Sequence, residues 1–480
     1  VVASAKPIHL HNTLGRQLQE FRPLHPGSVK LYSCGVTVYN HPHIGNMRAY
    51  LFADTLRRML EYNGFAVDQV RNITDVGHLT NDTLSSGLDK IEATARQQNK
   101  TPWDIADYFI GVFQDDARKL NIEQPEHEPR ATEYIDQMIE LVETLIERGH
   151  AYAVDGDVYF AVDSFPDYCK LSGNTIEDLI GGHRVEVGEG KKAPADFALW
   201  KFAGPDKIMR WKSPWGDGVP GWHLECSVMA IAILGEQIDI HTGGVDHIFP
   251  HHEDEIAQSE AATGKPFSQF WLHNDFLQLA GEEKMSKSSG SFYVLQDIED
   301  RGLHPLALRA YSFQAHYRTK LNFSWEALEA AQTGLVRLWE AAAELVQIGG
   351  ESELESDAEN FREEFHTAIN NDLDLPRAMA VLHEGLGSSL PAGQKRGLMR
   401  DFDRVLGLDL LPMGECISQT TPRQQHLLAE RAQARSEKQW EASDRLRQEL
   451  AELGLEVKDT PAGQRWLRRD LLPAGGQNHS

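Results

Sequence analysis

The sequence predicts an α/β protein, with a parallel sheet in its first half, a helical region after it, and a small unit at the C-terminal end. Three observations carry this. Residues 29–74 read as strand, loop, helix and strand; a second sheet-like stretch begins near residue 221; and from about residue 325 the pattern becomes Ala/Leu/Glu-rich and helical.

Residues 29–34 are β-branched and aromatic enough for a buried strand. A loop with Gly35 and Pro42 leads into residues 45–62, where Tyr50, Leu51, Ala53, Leu56, Met59 and Leu60 keep helical spacing until Asn63 and Gly64 stop the helix. Residues 66–73 supply the next strand, which completes a βαβ opening. Residues 103–149 read as helical and 151–162 as short strands, while 181–194, with four glycines and two lysines, read as an exposed loop in an insertion. The sheet-like region near 221 includes 231–240 and places Cys226 at its start. A helix over 250–263 follows, opened by Pro250 and closed by Gly264. Residues 325–348 form a helix, 349–353 a linker, and helices resume over 357–408. After a Pro/Gly/Cys break at 411–421, the last unit reads as one long helix ending near Gly454 and a short strand over 455–457.

The 480 residues allow about three or four domains. Charge narrows the function: 47 Lys+Arg against 72 Asp+Glu give a net −25, which argues against a generic DNA-coating protein or a polybasic membrane binder. The balance is uneven, because residues 421–480 hold ten basic and nine acidic residues. No apolar run approaches the roughly 18 residues of a membrane-spanning helix, and the first residues lack the apolar core of a secretory signal, so no membrane partner is expected and the expected location is cytoplasmic. Four cysteines, at 34, 169, 226 and 416, are too few and too scattered for a disulfide scaffold and read as metal ligands or reactive thiols.

Three groups of residues carry chemistry. His41, His43, Gly45 and Asn46 open a helix, where unpaired N–H groups favour phosphate, although histidines there also serve as surface or capping residues. Residues 281–290 set Lys284 and Lys287 among small hydroxyl residues, a pattern that suits a transferring triphosphate and equally a solvated basic loop. Neither a phosphate-binding Gly-x-x-x-x-Gly-Lys-Ser/Thr nor a dinucleotide Gly-x-Gly-x-x-Gly is present in the right setting. In the third group His251 and Glu255 share a helical face, and with Cys34 and Cys226 they make a donor set that fits zinc, against the ordinary role of buried cysteines as small hydrophobes. A zinc-protease helix would need a second histidine where Ile256 stands.

Five motifs occur in one order: Cys34-Gly35-Val36-Thr37-Val38-Tyr39 with His43-Ile44-Gly45-Asn46; Arg71-Asn72-Ile73-Thr74-Asp75; Gly221-Trp222-His223-Leu224-Glu225-Cys226-Ser227; residues 246–258; and Lys284-Met285-Ser286-Lys287-Ser288. Together they resemble the cysteinyl-tRNA synthetase family of class I aminoacyl-tRNA synthetases, over nearly the whole chain. Asn46 departs from that pattern, standing where a second histidine is usual.

The resemblance implies a Rossmann-like catalytic domain split by an insertion, then a helical bundle and a small anticodon-binding domain. The boundaries expected are 1–125 and 206–280 for the two catalytic halves, 126–205 for the insertion, 281–325 for the lysine-signature and stem-contact region, 326–412 for the bundle and 420–480 for the end domain. It implies activation of L-cysteine by ATP with Mg2+ and transfer to tRNA(Cys) by a monomer. His43, Asn46, Lys284 and Lys287 would be catalytic, with His43, Gly45, Asn46 and Lys287 on ATP. Cys34, Cys226, His251 and Glu255 would hold one Zn2+ per chain, Thr37, Thr74, Trp222, His241 and Asp246 would line the cysteine pocket, and Arg465 and Trp466 would touch tRNA. The nearest alternative is a cysteine ligase with an amino-sugar acceptor on the same catalytic domain. A zinc hydrolase and a non-catalytic RNA-binding protein are the rivals from other classes.

Overall fold

The computed structural model describes residues 6–76, 90–175, 190–279, 292–350, 354–460 and 463–473. The chain divides into two units that interleave in sequence. The first comprises Val1–Arg118, Ile122–Phe276 and Tyr317–Thr319; the second comprises Lys119–Asn121, Leu277–His316 and Lys320–Ser480.

A four-stranded parallel sheet organises the first unit, in the order Ser268–Asn274, Ile238–Gly244, Ser28–Thr37, Ala66–Thr74. The predicted βαβ opening is present: strand Ser28–Thr37, helix Ile44–Tyr62, strand Ala66–Thr74. The chain then leaves the sheet and returns on the other side of the first strand, so the strand order reverses between Ser28–Thr37 and Ile238–Gly244. Such a reversal opens a crevice at the C-terminal strand ends. Between the halves, Ala151–Val154, Asp157–Phe160, Phe197–Phe202 and Gly218–Pro220 form an antiparallel meander whose last strand lies beyond residue 205.

Several expectations need correction. Residues from Trp222 to Leu234 are helical, with Gly221 as N-cap, so Cys226 sits in a helix and not at a sheet edge. The segment is apolar on nearly all sides because it is buried, and such a run has no period to distinguish helix from strand. The helix expected from Pro250 starts at Glu253, since Phe249 is extended (φ −141°, ψ 132°) and Ile248–His252 form a π-helical turn. Gly264 closes the helix in the left-handed conformation, as its position predicted. The 103–149 stretch is two α-helices, Pro102–Lys119 and Ile135–Glu147, with a break between them.

In the second unit, Trp325–Ile348 is the helix the sequence indicated, with the Ser324 side chain accepting from the Ala327 N–H at 3.2 Å. The expected break at 411–421 is largely a helix, Leu410–Ser418, because Pro412 falls in the first turn, where a missing N–H costs little. The single long helix expected after it is two, Pro422–Ser436 and Trp440–Glu452, interrupted where Lys438 takes φ 59°. The hairpin Leu455–Thr460 with Gly463–Arg468 packs on them through Leu427, Leu428, Leu450, Leu455 and Val457.

Two buried arginines fasten the short pieces of chain that each unit borrows. Arg48 donates to the carbonyls of Asp275 (2.7 Å), Phe276 (2.6 Å) and Thr319 (2.7 Å) in the first unit. Arg309 donates to those of Leu406 (2.6 Å), Leu120 (3.1 Å) and Asn121 (3.0 Å) in the second. Among the described residues, no helix is long and apolar enough to cross a membrane.

Candidate active site

Pairing of Ser28–Thr37 with Ala66–Thr74 slips between Ser33 and Val36, next to Cys34. Gly35 makes the slip sterically feasible: a Cβ there would lie 1.5 Å from the Asn72 carbonyl oxygen. The same asparagine binds the loop edge through its side chain, accepting from the Gly35 N–H at 2.8 Å and from the Cys226 thiol at 3.8 Å. Irregularities of this kind re-aim a side chain, here the Cys34 thiol.

Four elements then converge. Cys34 comes from the first strand, Cys226 from the helix Trp222–Leu234, His251 from the turn Ile248–His252, and Glu255 from the helix Glu253–Thr263. One donor atom of each lies within 4.8 Å of the others. Glu255 is the hub, with His241 Nε2 at 2.9 Å and His251 Nε2 at 3.1 Å. Cys34 Sγ lies 3.3 Å from His252 Nε2, and Cys34, His241, His252 and Glu255 form an overlapping second set.

Burial and mutual charge polarise these groups. Burial pushes the Glu255 carboxyl up, but His241 and His251 pull it down to about 2. Burial opposes the His251 imidazolium, yet Glu255 and Cys226 raise it to about 10. Cys226 falls to about 6 through a hydrogen bond from Cys34 that outweighs its burial, while burial and the Cys226 charge drive Cys34 well above its ordinary value. The thiol pair therefore shares one proton. His247 drops to about 4 through burial and its neighbour His251; burial among other imidazoles puts His252 and His273 well below their ordinary value. Two thiols, an imidazole and a carboxylate, already ion-paired and converging in the interior, suit a borderline-soft divalent cation.

Of the sequence-predicted pocket residues, His241 and Trp222 contact the donor cluster directly. Thr37 and Thr74 are register partners at the strand ends, and the Thr74 hydroxyl donates to Glu225 at 2.9 Å. The Trp222 ring lies 4.3 Å from that of His251. Asp246 is exposed, in a 3-10 turn directly after the third strand in sequence, Ile238–Gly244. His43 caps the helix Ile44–Tyr62, its Nδ1 accepting from the Asn46 N–H at 3.0 Å, while Asn46 Oδ1 accepts from the His43 N–H at 3.2 Å. Gly45 follows in the first turn. Lys284 and Lys287 lie outside the described residues.

At the C-terminal hairpin, Trp466 is half-buried and its indole donates to the Ser418 carbonyl at 2.9 Å, so it packs against that unit's core. Arg465 is half-buried on the same strand. Sequence reasoning passed over Trp440, at 55 % the most exposed large apolar side chain among the described residues, with the Arg435 guanidinium 5.7 Å from its ring. It quoted His223 and His252 within motifs but gave them no role, and passed over His273, although the His251-His252-Glu253-Asp254-Glu255 run was a signal that more than one imidazole would be buried there.

The profile of the class I (C) tRNA synthetase catalytic domain matches residues 20–333. The methionyl-tRNA synthetase of Mycobacterium tuberculosis bound by methionyl-adenylate has the same fold, with a TM-score of 0.56 over 84 % of this chain and 95 % of that one, at 14 % identity. The fold is thus that of a class I aminoacyl-tRNA synthetase. A second profile, the cysteinyl-tRNA ligase anticodon binding domain, matches residues 418–466. Cysteine–tRNA ligase 1 of Burkholderia lata is 45 % identical over 96 % of both chains; the cysteine–tRNA ligase of Thermus thermophilus is 44 % identical over 95 % of this chain and 98 % of its own, and that of Chlorobaculum tepidum 43 % identical over 96 % and 99 %. The chain belongs to the cysteine–tRNA ligase family, ATP-dependent enzymes of protein biosynthesis.

Proposed function

We propose that the chain activates L-cysteine at the crevice of the parallel sheet and that Cys34, Cys226, His251 and Glu255 hold one zinc ion there. The convergence of these four donors within 4.8 Å is the observation that carries the reading. In the first step a cysteine carboxylate oxygen attacks the α-phosphorus of ATP, carried with Mg2+, and pyrophosphate leaves. In the second a ribose hydroxyl of the tRNA 3′-terminal adenosine attacks the acyl carbon, and AMP leaves.

Each group has a physical role. Because His43 Nδ1 accepts the Asn46 N–H, a neutral His43 carries its proton on Nε2 and can donate it to a phosphate oxygen. Asn46 spends its oxygen on the cap, which leaves its NH2 as a donor without positive charge. Lys284 and Lys287 supply the charge that stabilises the α-phosphate and departing pyrophosphate. Thr37, Thr74, Trp222 and His241 line the amino-acid pocket, with Asp246 on the ammonium group. Cys34, Cys226, His251 and Glu255 would hold zinc, and the ion would supply a soft site that favours a thiolate over a hydroxyl. Discrimination by size alone yields about 10- to 200-fold, so a chemical difference in ligand softness is the larger lever against serine.

For tRNA, Arg465 and Trp466 are joined by Trp440 and Arg435, and the exposed Trp440 offers the better stacking face. The enzyme acts as a cytoplasmic monomer. The test is Cys226→Ser, assayed for zinc content and for cysteine- against serine-dependent ATP–pyrophosphate exchange. Loss of stoichiometric zinc together with a reduced cysteine preference is expected; retained stoichiometric zinc refutes the ligand assignment.

A further inference from the structure

Two overlapping donor sets share Cys34 and Glu255: one is completed by Cys226 and His251, the other by His241 and His252. Adjacent histidines on one turn therefore compete for the same ion, and inner-sphere distances alone do not choose between them. Their outer partners differ in kind. His251 Nδ1 lies 2.8 Å from His223 Nδ1, and His223 Nε2 lies 3.3 Å from Asp254 Oδ2. The Tyr168 hydroxyl donates to the other oxygen, Asp254 Oδ1, at 2.5 Å, which fixes the carboxylate. His252 Nδ1 lies 2.8 Å from His273 Nε2, and His273 Nδ1 lies 2.7 Å from the Thr13 hydroxyl.

A carboxylate only accepts. His223 must then carry its proton on Nε2, so its Nδ1 accepts from His251 Nδ1–H, and the His251 Nε2 lone pair is left for a metal. A hydroxyl both donates and accepts, so the chain through His273 permits either tautomer of His252. With a thiol, a carboxylate and the ion common to both sets, the relay that fixes a tautomer decides.

We propose that Asp254, acting through His223, assigns the metal to Cys34, Cys226, His251 and Glu255 and keeps it off Cys34, His241, His252 and Glu255. Asp254 and His223 are positioning residues, which neither touch the substrate nor ligate the ion. The proposal rests on the zinc reading above and extends it. Its function is selectivity: the first set has two thiolates and the second only one, so the relay sets how soft the metal is toward a substrate thiol.

The test uses the full chain, stripped of metal and reloaded with Zn2+ or Co2+. Thiolate-to-cobalt charge-transfer absorption counts the sulfur ligands. Asp254→Leu, and as a second route His223→Phe, should weaken Zn2+ binding about 10- to 100-fold and halve the thiolate band per bound Co2+. In the Asp254→Leu background, adding Cys226→Ser should leave the halved band in place, and adding His252→Leu should abolish cobalt binding. A full two-thiolate band in both single variants overturns the proposal, whatever the affinity. So does complete loss of cobalt from folded variants, because the alternative set is intact in both. A full band in Cys226→Ser on the wild-type background instead refutes the underlying ligand assignment.

Discussion

Metal uptake by the stripped protein should release protons in a countable number. At pH 7 His251, raised to about 10, holds a proton that must leave before Nε2 can ligate. The Cys34–Cys226 pair holds one more, since Cys226 is lowered to about 6 and Cys34 is raised. Glu255, pulled down to about 2, releases none. The total is about two protons at pH 7, approaching about three near pH 5, where Cys226 is itself protonated. Apparent zinc affinity should thus climb about 100-fold per pH unit near neutrality, or roughly 2.7 kcal/mol. The signs follow the same shifts in the metal-free state. The raised His251 stabilises the fold fully below its unfolded value of about 6.5 and ceases to as pH rises through about 10. The depressed Glu255 contributes above about 4.3 and is lost as pH falls through about 2. Calorimetric zinc titration in buffers of different ionisation enthalpy reads the proton count directly. Release of about one proton or fewer at pH 7, or a pH-independent affinity, would show that the His251–Glu255 pair is not the acceptor of the metal.

Three further outcomes test other parts of the fold. Gly35→Ala must move the neighbouring strand, because its Cβ would stand 1.5 Å from the Asn72 oxygen where ordinary contact begins at 3.4 Å; a loss of more than about 3 kcal/mol in urea unfolding is expected, and a change below about 1 kcal/mol contradicts the slip geometry. Burial raises Asp403 to about 6 although it accepts from the Leu408 and Leu410 N–H groups, so this carboxyl makes the second unit less stable as pH rises from about 4 through 6, by roughly 3 kcal/mol. Asp403→Asn should flatten that slope in melts taken from pH 4 to 7.5, and an unchanged slope rejects the assignment. Trp440→Ala should raise the KM for tRNA in charging by about tenfold while leaving cysteine-dependent pyrophosphate exchange as it was, since one base–aromatic stack is worth about 1–3 kcal/mol; equal charging by both proteins would remove Trp440 from the tRNA surface.

The legible parts of the fold were those with local signals. Residues 325–348 announced a helix through their Ala/Leu/Glu-rich run and the Gly349-Gly350 linker after it, and the structure adds the Ser324 cap. The helix Trp222–Leu234 gave no such signal, because a segment buried on almost every side loses its period. In the site, cysteine, histidine and glutamate could be picked out since few roles suit such side chains together. Their supports could not: Thr13 and His273 are 260 positions apart, and a threonine there reads like any other until the fold brings it to the imidazole. Likewise Asn46 announced a departure from a motif, but its reciprocal cap with His43 became evident only from the helix start.

The interleaving of the two units has a practical consequence for anyone cutting the gene. A fragment ending at Phe276 would contain every donor of the proposed metal site yet lack Thr319, whose carbonyl takes a hydrogen bond from the buried Arg48. A fragment starting at Leu277 would lack Leu120 and Asn121, leaving Arg309 two carbonyls short. Each truncation removes acceptors from a buried guanidinium, at a cost of about a few kcal/mol. The same dependence imposes an order on synthesis at the ribosome: the first unit cannot finish folding until residue 319 has emerged, by which time the opening of the second is already exposed.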